Sequence, residues 1–197
     1  MFPYRSFLHR WRRFVQFGGG IILILLFTAC SEEKKTNPAR DVFTDLERIT
    51  PDGSSFYGTD TACHFESAYL RTDEQAHSGK YSIKLTPKEK FGLKYTRPVV
   101  RADEYFDLRV WKKGNKDAGV LVADILDNDF YQASRNVIET DSSGWELLQL
   151  EFFIPPTIEE AEMIIYVWNP DTVTVYFDDL HIFSSPRKQY PEYSQSP

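Results

Sequence analysis

Tyr105–Lys112 reads YFDLRVWK, and its alternation decides the fold. Phe106, Leu108 and Val110 fall on one side, and Asp107, Arg109 and Trp111 on the other. Successive strand side chains point to opposite faces, so a period of two predicts a half-buried strand. Upstream, Lys80–Thr86 (KYSIKLT) sets Tyr81, Ile83 and Leu85 against Ser82, Lys84 and Thr86, between Ser78-Gly79 and Pro87. Phe91–Arg97 forms a strand closed by Pro98. Downstream, Gly119–Leu126 is apolar on both faces, as a central strand is, and Asp127-Asn128-Asp129 turns it into Phe130–Ile138. After Ser142-Ser143-Gly144, Trp145–Ile154 runs in register until Pro155-Pro156 stops it. Met163–Trp168 and Thr172–Phe183 are the last strands, split by Asn169-Pro170-Asp171. Two stretches are less regular. Asp41–Thr50 fits a helix face through Val42, Phe43, Leu46 and Ile49, or an opening strand. Thr157–Glu160 fits a capped helical turn. About eight to ten short strands with turn signals between them, and no long amphipathic helix, predict an all-β antiparallel sandwich.

The chain opens differently. Arg5, Arg10, Arg12 and Arg13 precede the apolar run Ile21–Phe27, and no acidic residue occurs before Glu32. A basic lead and a short apolar run read as an export signal, too short for a bilayer-spanning helix, which needs about 20 apolar residues. Phe27-Thr28-Ala29-Cys30 resembles the lipobox of bacterial lipoproteins. That resemblance implies cleavage before Cys30 and a covalent lipid on it, anchoring the chain to outer-membrane lipid. Cys30-Ser31-Glu32-Glu33 is similar to the acidic tag of Bacteroidetes-type lipoproteins, which implies an outer-membrane lipoprotein facing the cell exterior. The resulting plan is a signal at 1–29, a lipidated tether at 30–40, a sandwich at 41–184 and a flexible tail at 185–197. Without residues 1–29 the chain keeps 19 basic against 29 acidic side chains, which argues against a basic surface for nucleic acid. With Cys30 lipidated, Cys63 has no disulfide partner and reads as a small buried apolar residue.

Three pieces in order carry a second resemblance: Ala76–Ser82 (AHSGKYS), Gly144-Trp145 leading to Ile154-Pro155, and Val175–Leu180 (VYFDDL). Together they resemble the jelly-roll carbohydrate-binding modules of the galactose-binding-like superfamily, across about 41–184. The resemblance implies a jelly roll with one structural calcium where the first strand, the SGK-type turn and the last strand meet. Asp178 would supply a carboxylate and Lys80 a backbone carbonyl. The early glutamate is Glu47 or Glu66, with Glu47 favoured because these modules place more chain before the turn. Calcium takes 6–8 oxygen ligands, so two carboxylates plus carbonyls suit it. The alternative is that Asp178 and Asp179 cap a turn at the sheet edge.

Sugar binding asks for exposed ring faces beside hydrogen-bonding groups. Trp111 shares its strand face with Arg109 and Asp107. Tyr166 and Trp168 share the face opposite Met163, Ile165 and Val167, and Tyr131 follows the Asp127–Asp129 turn. Sheet packing is the competing explanation for each ring, and for Trp145 it is the preferred one. No His-Glu-x-x-His or Gly-x-Ser-x-Gly pattern occurs in the sequence, and Glu159-Glu160 and Asp178-Asp179 are sequence neighbours that do not by themselves face across a cleft. The sequence therefore predicts a non-catalytic glycan-binding sandwich. Its rival is an accessory subunit whose sandwich docks an outer-membrane protein partner.

Overall fold

Thirteen strands build two antiparallel sheets in the computed structural model, which describes residues 39–115 and 117–186. The strands are β1 (Arg40–Thr44), β2 (Ser55–Tyr57), β3 (His64–Glu66), β4 (Arg71–Thr72), β5 (Ser82–Leu85), β6 (Phe91–Arg101) and β7 (Glu104–Gly114). They continue as β8 (Val120–Ile125), β9 (Phe130–Ser134), β10 (Val137–Thr140), β11 (Glu146–Phe153), β12 (Glu160–Trp168) and β13 (Val175–Pro186). One sheet has the order β10-β11-β7-β13-β5-β4, with β1 also pairing β13. The other runs β2-β3-β6-β12-β8-β9. The only helical element among the described residues is a 3-10 turn at Ala68–Leu70. The signal at 1–29, Cys30, the tether to residue 38 and the tail from 187 lie outside the described residues.

Alternation places the core as the sequence reads. Phe106, Leu108 and Val110 of β7 are buried, and they meet Leu121, Ala123, Met163, Ile165 and Val167 from the other sheet in one apolar cluster. Each fully buried Leu, Ile or Phe contributes about 1.5–3 kcal/mol, so this interior can hold the fold with no disulfide among the described residues. Trp145 is buried, as preferred, and Cys63 packs partly buried against the cluster.

Several boundaries differ from expectation, each for a local reason. Asp41–Thr50 resolves to the strand option, and the chain leaves β1 through Leu46 at φ 61°. Pro98 does not end β6. It sits where the pairing with β12 slips between Met163↔Arg97 and Ala161↔Val100, a bulge that needs no N–H from it. Phe130–Ile138 is not one strand. It breaks at Arg135-Asn136 and changes sheets, β9 pairing β8 and β10 pairing β11. Thr157–Glu160 forms no helix. Ile158 N–H closes a turn onto Pro155 O at 3.0 Å. Ser185 and Pro186, expected in the tail, belong to β13 opposite Tyr105 and Glu104.

Candidate functional site: an aromatic strip and a carboxylate-clamped turn

On the outer face of the six-stranded sheet, Trp168 lies opposite Phe91 of β6 and Val120 of β8. Tyr166 lies opposite Val122, and Asp124, one pair further along β8, faces Tyr131 on β9. The Phe91 and Trp168 rings are parallel within 4°, centroids 6.1 Å apart, and Tyr166 meets Phe91 edge-on at 5.9 Å. Val120 and Val122 are buried yet stand apart from the main core cluster, as expected of side chains beneath the Trp168 and Tyr166 rings. Phe91 is 56% and Tyr131 49% exposed. Burial raises the Tyr166 hydroxyl pKa, with smaller contributions from Tyr131 and Asp124, and the register sets Asp124 and Tyr131 on the same face as Tyr166. The strip thus offers apolar ring faces and hydrogen-bonding groups together.

Phe91 is absent from the sequence-derived candidates. Strict alternation puts it on the inward side with Leu93 and Tyr95. Leu93 adopts φ 50°, the pairing with β12 slips between Ile165↔Tyr95 and Val167↔Gly92, and the parity flips so that Phe91 faces out. The signal was the glycine at 92, since a glycine inside a strand often marks such a kink.

Trp111 and Trp168 are not on one face. Trp111, Arg109 and Asp107 lie on the outer face of the seven-stranded sheet. Arg109 binds Asp107 on its own strand at 2.6 and 3.2 Å, and Gln149 Nε2 donates to the same carboxylate at 3.0 Å. The ion pair raises the Arg109 pKa, Asp107 being the principal cause.

The turn His77–Tyr81 is gripped at both ends. Glu47 Oε1 accepts N–H bonds from Lys80 and Tyr81, each 2.8 Å. Asp178 Oδ2 accepts from His77 at 2.8 Å and Ser78 at 3.3 Å, while its Oδ1 accepts from Asp179 N–H at 2.8 Å. Asp179 accepts from Ser78 Oγ at 2.8 Å and lies 2.7 Å from His77 Nδ1. The topology explains the arrangement. Along one edge of β13, β5 pairs as far as Phe177 and β1 begins at Leu180, leaving a gap. A bulge with Asp179 at φ 50° fills it with two successive carboxylates, and the turn plugs into them.

Three of the four residues that the resemblance names for calcium therefore meet at this turn. Glu66 is not among them, being on β3 of the other sheet and 3.2 Å from Lys94. Among the described residues no three His, Cys, Asp or Glu side chains gather to hold a metal ion, so a cation here would rest on two carboxylates and carbonyls alone. Asp178 is fully buried, Asp179 is nearly so, and among the described residues neither is paired with a lysine or arginine. Burial and the Asp179 charge outweigh three N–H bonds and push the Asp178 carboxyl up to about 7.

No family model and no curated protein matches the chain. Among solved structures it is similar to the C-terminal family 22 carbohydrate-binding module of Clostridium thermocellum Xyn10B, at 12% identity and a TM-score of 0.45, covering 76% of this chain and 95% of that one. A xylan-binding domain of family 22 gives 13% identity and a TM-score of 0.44, covering 76% of this chain and 96% of that one. The geometry of the strip stands independently of both.

Proposed function

We propose that the chain is a lipid-anchored outer-membrane protein, held by Cys30 and facing the cell exterior, whose non-catalytic sandwich binds a glycan on the outer face of the six-stranded sheet. The observation that carries this reading is the parallel, outward-facing pair Phe91–Trp168, extended by Tyr166 and Tyr131. Pyranose C–H faces stack on such rings, while the sugar hydroxyls find the tyrosine hydroxyls and the Asp124 carboxylate. Glu47, Asp178 and the Lys80 carbonyl would hold a structural calcium at the clamped turn, supplying positive charge to a buried acidic pair.

The test is a polysaccharide array with the chain lacking residues 1–30, run beside Trp168→Ala and Phe91→Ala. Binding to at least one polysaccharide, weakened about tenfold or more by either substitution, is expected. No binding to any polysaccharide, with a stable outer-membrane protein captured instead, refutes the glycan reading in favour of a docking subunit. Mass spectrometry of the mature protein that finds Cys30 without acyl groups refutes the anchor.

A further inference from the structure

A depression of about 350 Å³ lies on the opposite sheet, walled by Phe43, Trp111 and Leu147 and rimmed by Arg109, His181 and Asp179. We propose that this depression is a second ligand site, one that takes a single sugar residue and works independently of the strip. It rests on the glycan reading for the class of ligand and on separate residues for everything else.

The volume sits at the low end of small-molecule sites, about 300–1,000 Å³, which suits one ring rather than a polymer segment. Trp111 is positioned before any ligand arrives. One face of its indole is covered by the His77 ring, 4.0 Å away and within 16° of parallel, and that imidazole is pinned by Asp179 at 2.7 Å. A ring fixed in this way stacks on a ligand with little further loss of freedom, so less of the interaction is spent on ordering. Across the depression, His181 stands edge-on to Phe43 at 6.3 Å and is tied to Asp41 at 2.5 Å.

The charges favour a neutral, hydroxyl-bearing ligand over an anion. Arg109 has Asp107 as its partner and the His181 ring is held by Asp41, so the guanidinium on the rim is already compensated. Arg109 uses Nε and one terminal nitrogen on Asp107, and its Nη1 makes no hydrogen bond among the described residues. The Arg109 side chain is 43% exposed, and its Nη1 donors are open to sugar oxygens. The two sites lie on opposite outer faces of the sandwich, so a ligand on one does not obstruct the other.

Saturation-transfer NMR of the purified chain with methyl glycosides of glucose, galactose, mannose, xylose and N-acetylglucosamine tests this. At least one glycoside should give a signal that Trp168→Ala leaves unchanged. Trp111→Ala should weaken its binding about tenfold. Arg109→Met keeps the aliphatic bulk and the His77–Trp111 stack, and should weaken it severalfold. Absence of transfer from every glycoside overturns the proposal. So does a signal lost in Trp168→Ala, or one indifferent to both Trp111→Ala and Arg109→Met. Retardation of the same variants in polysaccharide gels separates the two readings. Retardation without monosaccharide binding removes only the second site, whereas monosaccharide binding of the expected pattern without retardation supports it and removes the strip.

Discussion

Replacing Gly79 by alanine tests the clamped turn directly. Gly79 adopts φ +54°, and an added Cβ would lie 2.5 Å from Glu47 Oε1 and 2.7 Å from its Cδ. Alanine in the left-handed region costs about 1–2 kcal/mol for the backbone alone. Moving the Glu47 carboxylate also breaks its bonds to the Lys80 and Tyr81 N–H groups, at about 1 kcal/mol each. The total is about 3–4 kcal/mol, a fall in Tm of roughly 6–15 °C for a domain of this size. Gly144→Ala is the control, because Gly144 has φ +83° and nothing within 4 Å of its Cβ position, so only the backbone cost of about 1–2 kcal/mol remains. Urea denaturation followed by tryptophan fluorescence measures both. In a Glu47→Ala background the obstructing carboxylate is gone, and the Gly79→Ala cost should shrink to that of the control. Equal destabilisation by Gly79→Ala and Gly144→Ala in the wild-type background would refute the clamp.

Three further outcomes follow from other groups. Exhaustive removal of divalent ions with chelator should lower Tm, and calcium should restore it; a Tm indifferent to both rejects the ion at Glu47, Lys80 and Asp178. In chelator, the Asp178 carboxyl titrates near 7 when folded against 3.8 in an unfolded chain, so the unfolded state binds fewer protons between those values and stability falls as pH rises. The loss from pH 5.5 to 8 should be about 2 kcal/mol in urea titrations and should disappear in Asp178→Asn; a stability that is flat or rising over this range contradicts it. Glu104→Gln leaves the buried Arg97 guanidinium, 3.0 Å from the lost carboxylate, without its counter-charge, and should cost about 3–5 kcal/mol; a change below about 1 kcal/mol in the same assay would show that the pair is solvated.

The sandwich was legible because its inward positions, such as Phe106, Leu108 and Val110, repeat without interruption over whole strands. What could not be read was sheet membership. Trp111 and Trp168 both point outward from their strands, but alternation does not say to which sheet a strand belongs, and they emerge on opposite sides. Bulges hid the rest. At Leu93 one irregular residue reverses the parity upstream and turns Phe91 into solvent. At Asp178-Asp179 another aims two neighbouring carboxylates at one turn. The break inside Phe130–Ile138 is hidden for a related reason: its residues suit an extended chain throughout, and only the partners on either side make β9 and β10 different strands.

Arg40 pairs with Ser184, so the first and last strands of the body end side by side. Cross-strand neighbours have Cα atoms only about 5 Å apart. A few residues could therefore join the two ends, and new termini could be opened at a surface turn such as Ser142–Gly144 without parting any ladder. By the same proximity, the whole body could be spliced into an exposed loop of an unrelated host without forcing that loop apart.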